Sequence, residues 1–181
     1  EKPLSMTAQE GEDLVKIAKR QEKVLFVGHI LQYHSAVQTV KRMLHEGELG
    51  KLQYIYSNRL NLGKIRRGEN ILWSFAPHDI SVILSLVGEE PVDVTATGTN
   101  ILHPNIADTT ITNMKFSSGI GAHIFVSWLH PFKEQKMVII GDRKMVVFDD
   151  TAPIDKKLML YPHKISWKDG VPVPEKKEGS P

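Results

Sequence analysis

Thr109-Thr110-Ile111-Thr112-Asn113-Met114-Lys115-Phe116-Ser117-Ser118-Gly119-Ile120-Gly121-Ala122-His123-Ile124-Phe125-Val126-Ser127-Trp128-Leu129 is the stretch that decides the fold of this chain. Two runs rich in β-branched and aromatic residues, 109–116 and 121–129, flank a Ser-Ser-Gly break that suits a tight reversal, so they read as antiparallel partners. Similar runs precede it at 92–99 and follow it at 136–140, 145–148 and 158–161, separated by Gly, Pro, Asp and Ser turns. Gly141-Asp142-Arg143 is another short reversal. The second half is therefore expected to be an antiparallel sheet.

Upstream the period changes from two to that of a helix. Thr7 and Glu10 form a capping box, Leu14, Ile17 and Ala18 mark one face, and Lys19 and Arg20 stand where the helix dipole favours cations, predicting a helix over 8–21. Val24-Leu25-Phe26-Val27 before Gly28 reads as a strand buried on both faces of a parallel sheet. Helix followed by buried strand is the rhythm of a doubly wound α/β domain. Ser35 with Gln38 repeats the capping pattern, and Val37, Val40, Met43 and Leu44 give a second helix that stops near Gly47. A strand follows over 52–62, then a basic loop over 63–70 carrying Lys64, Arg66 and Arg67. A third helix is predicted over 77–87, with Ile80, Ile83, Leu84 and Val87 inward, His78, Ser81 and Ser85 on another face, and Gly88 as its stop. From Lys168 onward Pro, Lys, Glu and Gly dominate, which predicts a fraying tail.

The fold class is thus α+β, an open, mostly antiparallel sheet with helices on one face, preceded by a remnant of a doubly wound nucleotide-binding domain. The domains are placed at 1–28 (the remnant), 29–167 (substrate binding and oligomerisation) and 168–181 (tail). Length and composition agree with one folded domain: 181 residues, 41% hydrophobic and 24% charged. Lys plus Arg number 23 against 21 Asp plus Glu, a net charge of +2 without massed basic residues, so no nucleic-acid partner is expected. Cysteine is absent, which excludes a disulfide framework, a thiolate nucleophile and cysteine metal sites, and leaves a cytoplasmic location as the default. No apolar run approaches the roughly 20 residues a membrane span needs, so no membrane partner is expected.

Several side chains can carry chemistry. His29, His34 and His45 cluster around the second helix without the spacing of a metal pair, so no metal is assigned. His78, after Pro77 and beside Asp79, stands at a helix start on the face away from the apolar stripe. A neutral imidazole there serves as a general base or as a structural cap, and the residues alone do not choose. Lys2 alone reads as a solvated charge. Arg59 and Asn61 alternate on a strand and precede Lys64 to Arg67, a set that suits phosphate or carboxylate as well as plain solvent. Trp73 is placed to wall a pocket near His78. The His123, Phe125 and Trp128 stripe reads as sheet core or interface rather than a binding box.

In order along the chain, Glu1-Lys2-Pro3, Gly28-His29, Gly47-Glu48-Leu49-Gly50, Ser57-Asn58-Arg59-Leu60-Asn61-Leu62-Gly63, Trp73-Ser74-Phe75-Ala76-Pro77-His78-Asp79-Ile80-Ser81 and Ser127-Trp128 resemble the Gfo/Idh/MocA family of NAD(P)-dependent oxidoreductases. The resemblance is greatest to its nucleotide-sugar dehydrogenases that act on UDP-N-acetylglucosamine uronic acids. It implies that Lys2 reaches the nicotinamide ribose and the substrate hydroxyl, with Pro3 beside it on the cofactor side. It implies that His78 takes the hydroxyl proton as hydride leaves for NAD or NADP. Relatives often hold an acid where Ser74 stands; Asp79 offers a carboxylate from another direction. Arg59, Asn61, Arg66, Trp73 and Asp79 fall on the substrate side, with a sugar or nucleotide sugar as partner. The family's Gly-x-Gly-x-x-Gly turn is not formed by the glycines at 11, 28, 47 and 50. The chain is therefore expected to be part of a larger enzyme, inactive and without bound NAD(P) by itself, and to form a homo-oligomer through its open sheet. The alternative is a non-catalytic association or ligand-binding module built on that sheet.

Overall fold

The computed structural model describes residues 2–181; Glu1 of the Glu1-Lys2-Pro3 motif lies outside them. Eight strands form one sheet: β1 (Leu52–Leu60), β2 (Pro91–Thr99), β3 (Thr109–Phe116), β4 (Gly121–Ser127), β5 (Glu134–Gly141), β6 (Lys144–Asp149), β7 (Leu158–Lys168) and β8 (Val171–Lys176). Their order is β2-β3-β4-β1-β5-β6-β7-β8. Every neighbouring pair is antiparallel except β1 and β4. That pair is parallel because a helix, α3 (Ile71–Val87), and the β2–β3 hairpin intervene between the two strands and carry the chain back across the sheet.

Alternation along the strands sorts the side chains onto two faces. Ile55, Ile124, Val126, Ile139 and Val146 point to one face, where they meet Val37, Val40 and Met43 of α2 (Ser35–His45) and Ile71, Val82 and Ile83 of α3. The helices thus close the core from one side. Tyr54, Tyr56 and His123 point the other way: Tyr54 Oη lies 2.8 Å from His123 Nδ1, and the Tyr56 and His123 rings stack with centroids 5.3 Å apart. No helix covers this second face among the described residues.

Four expectations need correction. The 24–27 run forms no strand, and Val24 is 95% exposed, because a strand exists by pairing and no partner lies beside it among the described residues. The second helix is capped by His34, whose Nδ1 accepts from the Ala36 amide at 3.1 Å, so Ser35 is its first residue rather than its cap. The third helix begins at Ile71, capped by Asn70 accepting from Trp73 N at 3.1 Å; it takes Pro77 into its interior and places His78 in its second turn and Trp73 in its first. The 168–181 tail contains β8, joined to β7 by Asp169-Gly170 with φ values of 50° and 76°. Two positive φ angles are what a two-residue primed hairpin turn requires, and Gly supplies one without strain.

The first helix, α1 (Ala8–Arg20), forms as predicted with its capping box complete, yet none of its residues is buried. Leu14, Val15 and Ile17 remain exposed.

Candidate active site

Beneath α3, the inward face of β1 carries Ser57 and Arg59, two residues apart and therefore on one side. Both turn to Asp79. Ser57 Oγ donates to Asp79 Oδ1 at 2.9 Å, Arg59 Nε to Oδ2 at 2.7 Å and Arg59 Nη2 to Oδ1 at 3.3 Å. The side chains of Arg59 and Asp79 are only 11% and 4% exposed. Gln135 on β5 completes the guanidinium shell, accepting from Arg59 Nη1 at 3.1 Å in its favoured amide orientation while donating to Asp150. Arg59 and Asp79, expected on the substrate side, are thus committed to each other. A buried pair with its remaining valences satisfied fixes the rotation of α3 over the sheet.

That rotation sets His78, the neighbour of Asp79. His78 Nδ1 is buried without a hydrogen-bond partner among the described residues, and His29 Nδ1 is in the same condition. Burial holds the His78 pKa below its ordinary value, and the positive charges of Arg59 and Lys2 push the same way, with Asp79 opposing and His29 adding to the depression. The imidazole is consequently neutral at neutral pH and able to accept a proton.

Lys2 reaches this place from the other end of the sequence. Its Nζ donates to the backbone carbonyl of Ser74 at 2.5 Å, one turn before His78. Burial lowers its pKa, opposed by Glu69 and reinforced by Arg66 and Arg59. The contact uses the Ser74 backbone, so the absence of an acidic side chain at 74 does not cost Lys2 this anchor. Pro77 has no N–H to offer the Trp73 carbonyl, which interrupts the helical ladder beside this contact.

Trp73 is 36% exposed. It helps line a largely apolar cleft of about 480 Å³ with Pro3, Val27, His29, Pro77 and Ile80. Pro3, expected on the cofactor side, therefore forms one wall of it. Asn61 lies just beyond β1, with its amide so close to Gly63 that a Cβ there would come within 2.7 Å of Asn61 Nδ2. Arg66 sits in the basic loop, its Nε 3.0 Å from Glu69 Oε1.

The fold thus brings Lys2 and His78 together, with Trp73 and Pro3 beside the same helix, and places Asn61 and Arg66 on the adjoining loop. The sequence reading left out Ser57, Gln135 and Glu69. Ser57 had a signal, its strand alternation with Arg59; Gln135 and Glu69 had none apart from the tertiary contacts.

The orphaned ring nitrogens and the half-buried lysine fit the hydroxyl-bearing end of a substrate and the nicotinamide end of NAD(P). Lys2 and Pro3 are the residues that would touch that end of the cofactor. Nothing among the described residues forms a glycine-rich cradle for its pyrophosphate. The described residues contain no group of three or more His, Asp or Glu able to hold a metal ion, and no helix long and apolar enough to cross a membrane.

Comparison with known proteins gives the arrangement a lineage. The chain is 30% identical over 178 residues to UDP-N-acetylglucosamine 3-dehydrogenase of Acidithiobacillus ferrooxidans, covering 95% of this chain and 53% of that one. The crystal structure of that enzyme superimposes with a TM-score of 0.77 at 24% identity, over 99% of this chain and 56% of the other. The 2,7-anhydro-N-acetylneuraminate hydratase of Mediterraneibacter gnavus is 24% identical over 165 residues, 82% of this chain and 44% of its own. A dehydrogenase of Bordetella pertussis solved in complex with NADH and UDP-GlcNAcA shares the fold, with a TM-score of 0.76 at 21% identity over 83% of this chain and 48% of that one. The chain therefore spans about half the length of the curated relatives it matches. Residues 37–147, from α2 through the strand that carries Arg59 and the helix that carries His78 to β6, match the GFO/IDH/MocA C-terminal domain, and the chain belongs to that family.

Proposed function

We propose that the full-length protein carrying this chain is an NAD(P)-dependent dehydrogenase that oxidises a secondary hydroxyl of a sugar or nucleotide sugar. The observation that carries the reading is the bond from Lys2 Nζ to the Ser74 carbonyl, 72 residues along the chain and one helical turn before His78, whose pKa is lowered by burial with the help of the Lys2 charge. Lys2 Nζ, with donors left after that bond, holds the reacting hydroxyl oxygen. His78 accepts the hydroxyl proton at a ring nitrogen, a role its depressed pKa suits because the imidazole starts neutral. NAD(P), when bound, supplies the hydride acceptor. Asp79 does not touch the substrate; it aligns α3 through Arg59 and Ser57. Trp73 and Pro3 keep water from the apolar side of the cleft.

The cofactor's remaining contacts, the choice between NAD and NADP and the pyrophosphate cradle belong to parts of the protein beyond this chain, so the 181-residue chain by itself is inactive. The open face with its Tyr54–His123 contact is the surface for homo-oligomerisation, in a cytoplasmic protein. In the full-length protein, His78→Ala is expected to lower hydride transfer by about 10²–10⁴-fold while leaving substrate affinity nearly unchanged. Unaltered turnover would return His78 to a structural role and favour the non-catalytic association module.

A further inference from the structure

A row of polar side chains crosses the helix-covered face of the sheet, from the buried Arg59–Asp79 pair out to the far strands. Arg59 on β1 and Gln135 on β5 are direct cross-strand partners. Counting by twos puts Arg59 on the face of Ile55, Gln135 on that of Ile139, and Asp150, one residue past β6, on that of Val146. The Asp150 amide donates to the Gln135 carbonyl at 2.8 Å, so the row keeps its register beyond the end of β6. Lys157, just before β7, closes it. Its Nζ donates to Asp150 Oδ1 at 2.8 Å, and the two side chains are only 19% and 24% exposed.

Gln135 is the neutral link between two charged groups. In its favoured amide orientation the carboxamide oxygen accepts from Arg59 Nη1 at 3.1 Å while the nitrogen donates to Asp150 Oδ2 at 3.2 Å. A carboxamide does both at once. A carboxylate of the same length would accept from Arg59 but meet Asp150 as a like charge, and an apolar side chain would satisfy neither. Leu31, Val37, Val82, Met137 and Phe148 surround this contact and leave a cavity of about 10 Å³, the lower limit for a single water. In such a setting a guanidinium N–H without its acceptor carries its full desolvation cost.

The consequence reaches the site. Because Nη1 is met by a neutral oxygen, the Arg59 charge is left to Asp79, through Nε to Oδ2 at 2.7 Å and Nη2 to Oδ1 at 3.3 Å. Asp79 is the residue next to His78.

We propose that Gln135 is a positioning residue for His78: it meets the outer edge of the Arg59 guanidinium with a neutral acceptor whose direction Asp150 fixes, reserving Arg59 for Asp79 and holding the α3 turn that carries His78. The proposal rests on the dehydrogenase reading for why His78 must be held, and deepens it by naming a residue that acts through Arg59 rather than on the substrate. The charged and titratable groups that bear on His78 are Arg59, Lys2, Asp79 and His29. Those facing Asp150 are Lys157 and His34, whose Nε2 lies 3.7 Å from Oδ1, while Lys136, next to Gln135, is occupied by Asp149.

The test is an NMR titration of the His78 ring in the full-length protein, its signal identified by loss in His78→Gln, beside thermal melts of the same variants. Burial first, and then Arg59, hold the His78 pKa down. Gln135→Glu sets a second carboxylate on Arg59 and against Asp150, so the melting midpoint should fall and His78 should titrate at higher pH than in the wild type. In Gln135→Glu/Asp150→Asn the donor and acceptor exchange places. The midpoint should rise back toward the wild-type value while His78 still titrates high, a separation that a purely structural role for position 135 would not produce. Gln135→Met, alike in length, leaves Nη1 unmet and should broaden or split the His78 signal. A double variant in which His78 titrates as in the wild type, a double variant that melts no higher than Gln135→Glu, or a sharp, unshifted His78 signal in Gln135→Met would each overturn the assignment. None of these readouts is turnover. If they fail while His78→Ala still abolishes hydride transfer, the dehydrogenase reading stands without Gln135; if they hold while His78→Ala turns over normally, that reading falls and the hold on Arg59 remains.

Discussion

Helices α1 and α3 form from opposite kinds of instruction. α1 has a complete capping box, Thr7 Oγ1 accepting from Glu10 N at 3.3 Å and Glu10 Oε2 from Thr7 N at 3.2 Å, with Lys19 and Arg20 in its last turn. α3 has a single Asn70 cap, no acid in its first turn, no base in its last and a proline in its interior. Yet α3 buries Ile71, Ala76, Asp79, Val82 and Ile83, whereas α1 buries nothing. Local signals start a helix; packing against a sheet is what makes it rigid enough to hold a side chain such as His78 in one place. The site lies where the two kinds meet, since Lys2 precedes the locally specified helix and His78 rides on the packed one.

The comparison breaks most decisively at Asp79. Asp79→Ala leaves the Arg59 guanidinium buried without its carboxylate, and is expected to destabilise the chain by about 3–5 kcal/mol in urea titrations. Arg59→Met combined with Asp79→Leu removes both charges and should recover most of that loss. A small effect of the single change would mean that the pair does not set α3 on the sheet. Next in size is the contrast between Ile83→Ala, at a fully buried position, and Ile17→Ala, at one 48% exposed. The first should cost about 2–5 kcal/mol. The second should stay within about 0.5 kcal/mol. Similar losses in thermal melts would show that α1 is packed as α3 is.

The sheet was legible because alternation and turn residues are local. Seven of the eight strands fall on runs marked out by the period of two and the Gly, Ser and Asp breaks, although β7 continues to Lys168, well past the expected 161. β1 and β4 each end two residues short of the expected 62 and 129, and β8 is hidden by the Pro and Lys of its surroundings although Asp169-Gly170 is a strong hairpin signal. The start of α3 was misplaced because Pro77 suits a first helical turn; the Asn70 cap ahead of an apolar run was the competing signal, and it prevailed. At the site, motif resemblance picked out Lys2 and His78 but not what joins them. The Ser74 carbonyl is a backbone group that no residue type announces, and the Arg59–Asp79 pair depends on which strand face lies under which helix turn.

A pH series sharpens the packed side of the comparison. Folding places the His78 pKa lower than in the unfolded chain, mainly through burial and then through Arg59 and Lys2. Below the ordinary histidine value of about 6.5 the unfolded chain therefore binds a proton that the folded chain resists. His78's contribution to stability is complete above that value and declines as pH falls through it toward the lower folded pKa. His78→Gln has no such proton to bind, so its melting midpoint should vary less than the wild type's between about pH 7 and pH 5. Parallel curves for the two proteins would separate His78 from the buried environment assigned to it.

The smallest effect is expected on the locally specified side, and its value lies in where it appears. Thr7→Ala removes the cap from α1 and should weaken that helix by about 1 kcal/mol. Because α1 contributes no buried residue, the loss has little route into the core. Hydrogen exchange of amides in the first turns of α1 should accelerate roughly fivefold, in proportion to the lost local free energy, while exchange in β1, β4 and β5 and the global urea midpoint stay as they were. A matching drop in global stability would mean that α1 and the sheet unfold as one unit. The distinction between a helix written in its own sequence and one held by its neighbours would then fail for this molecule. Lys2, only five residues before the cap, makes the outcome bear on the site as well: if its bond to Ser74 depends on α1, the His78 pKa should rise toward its ordinary value in Thr7→Ala, because one of the positive charges holding it down would move away.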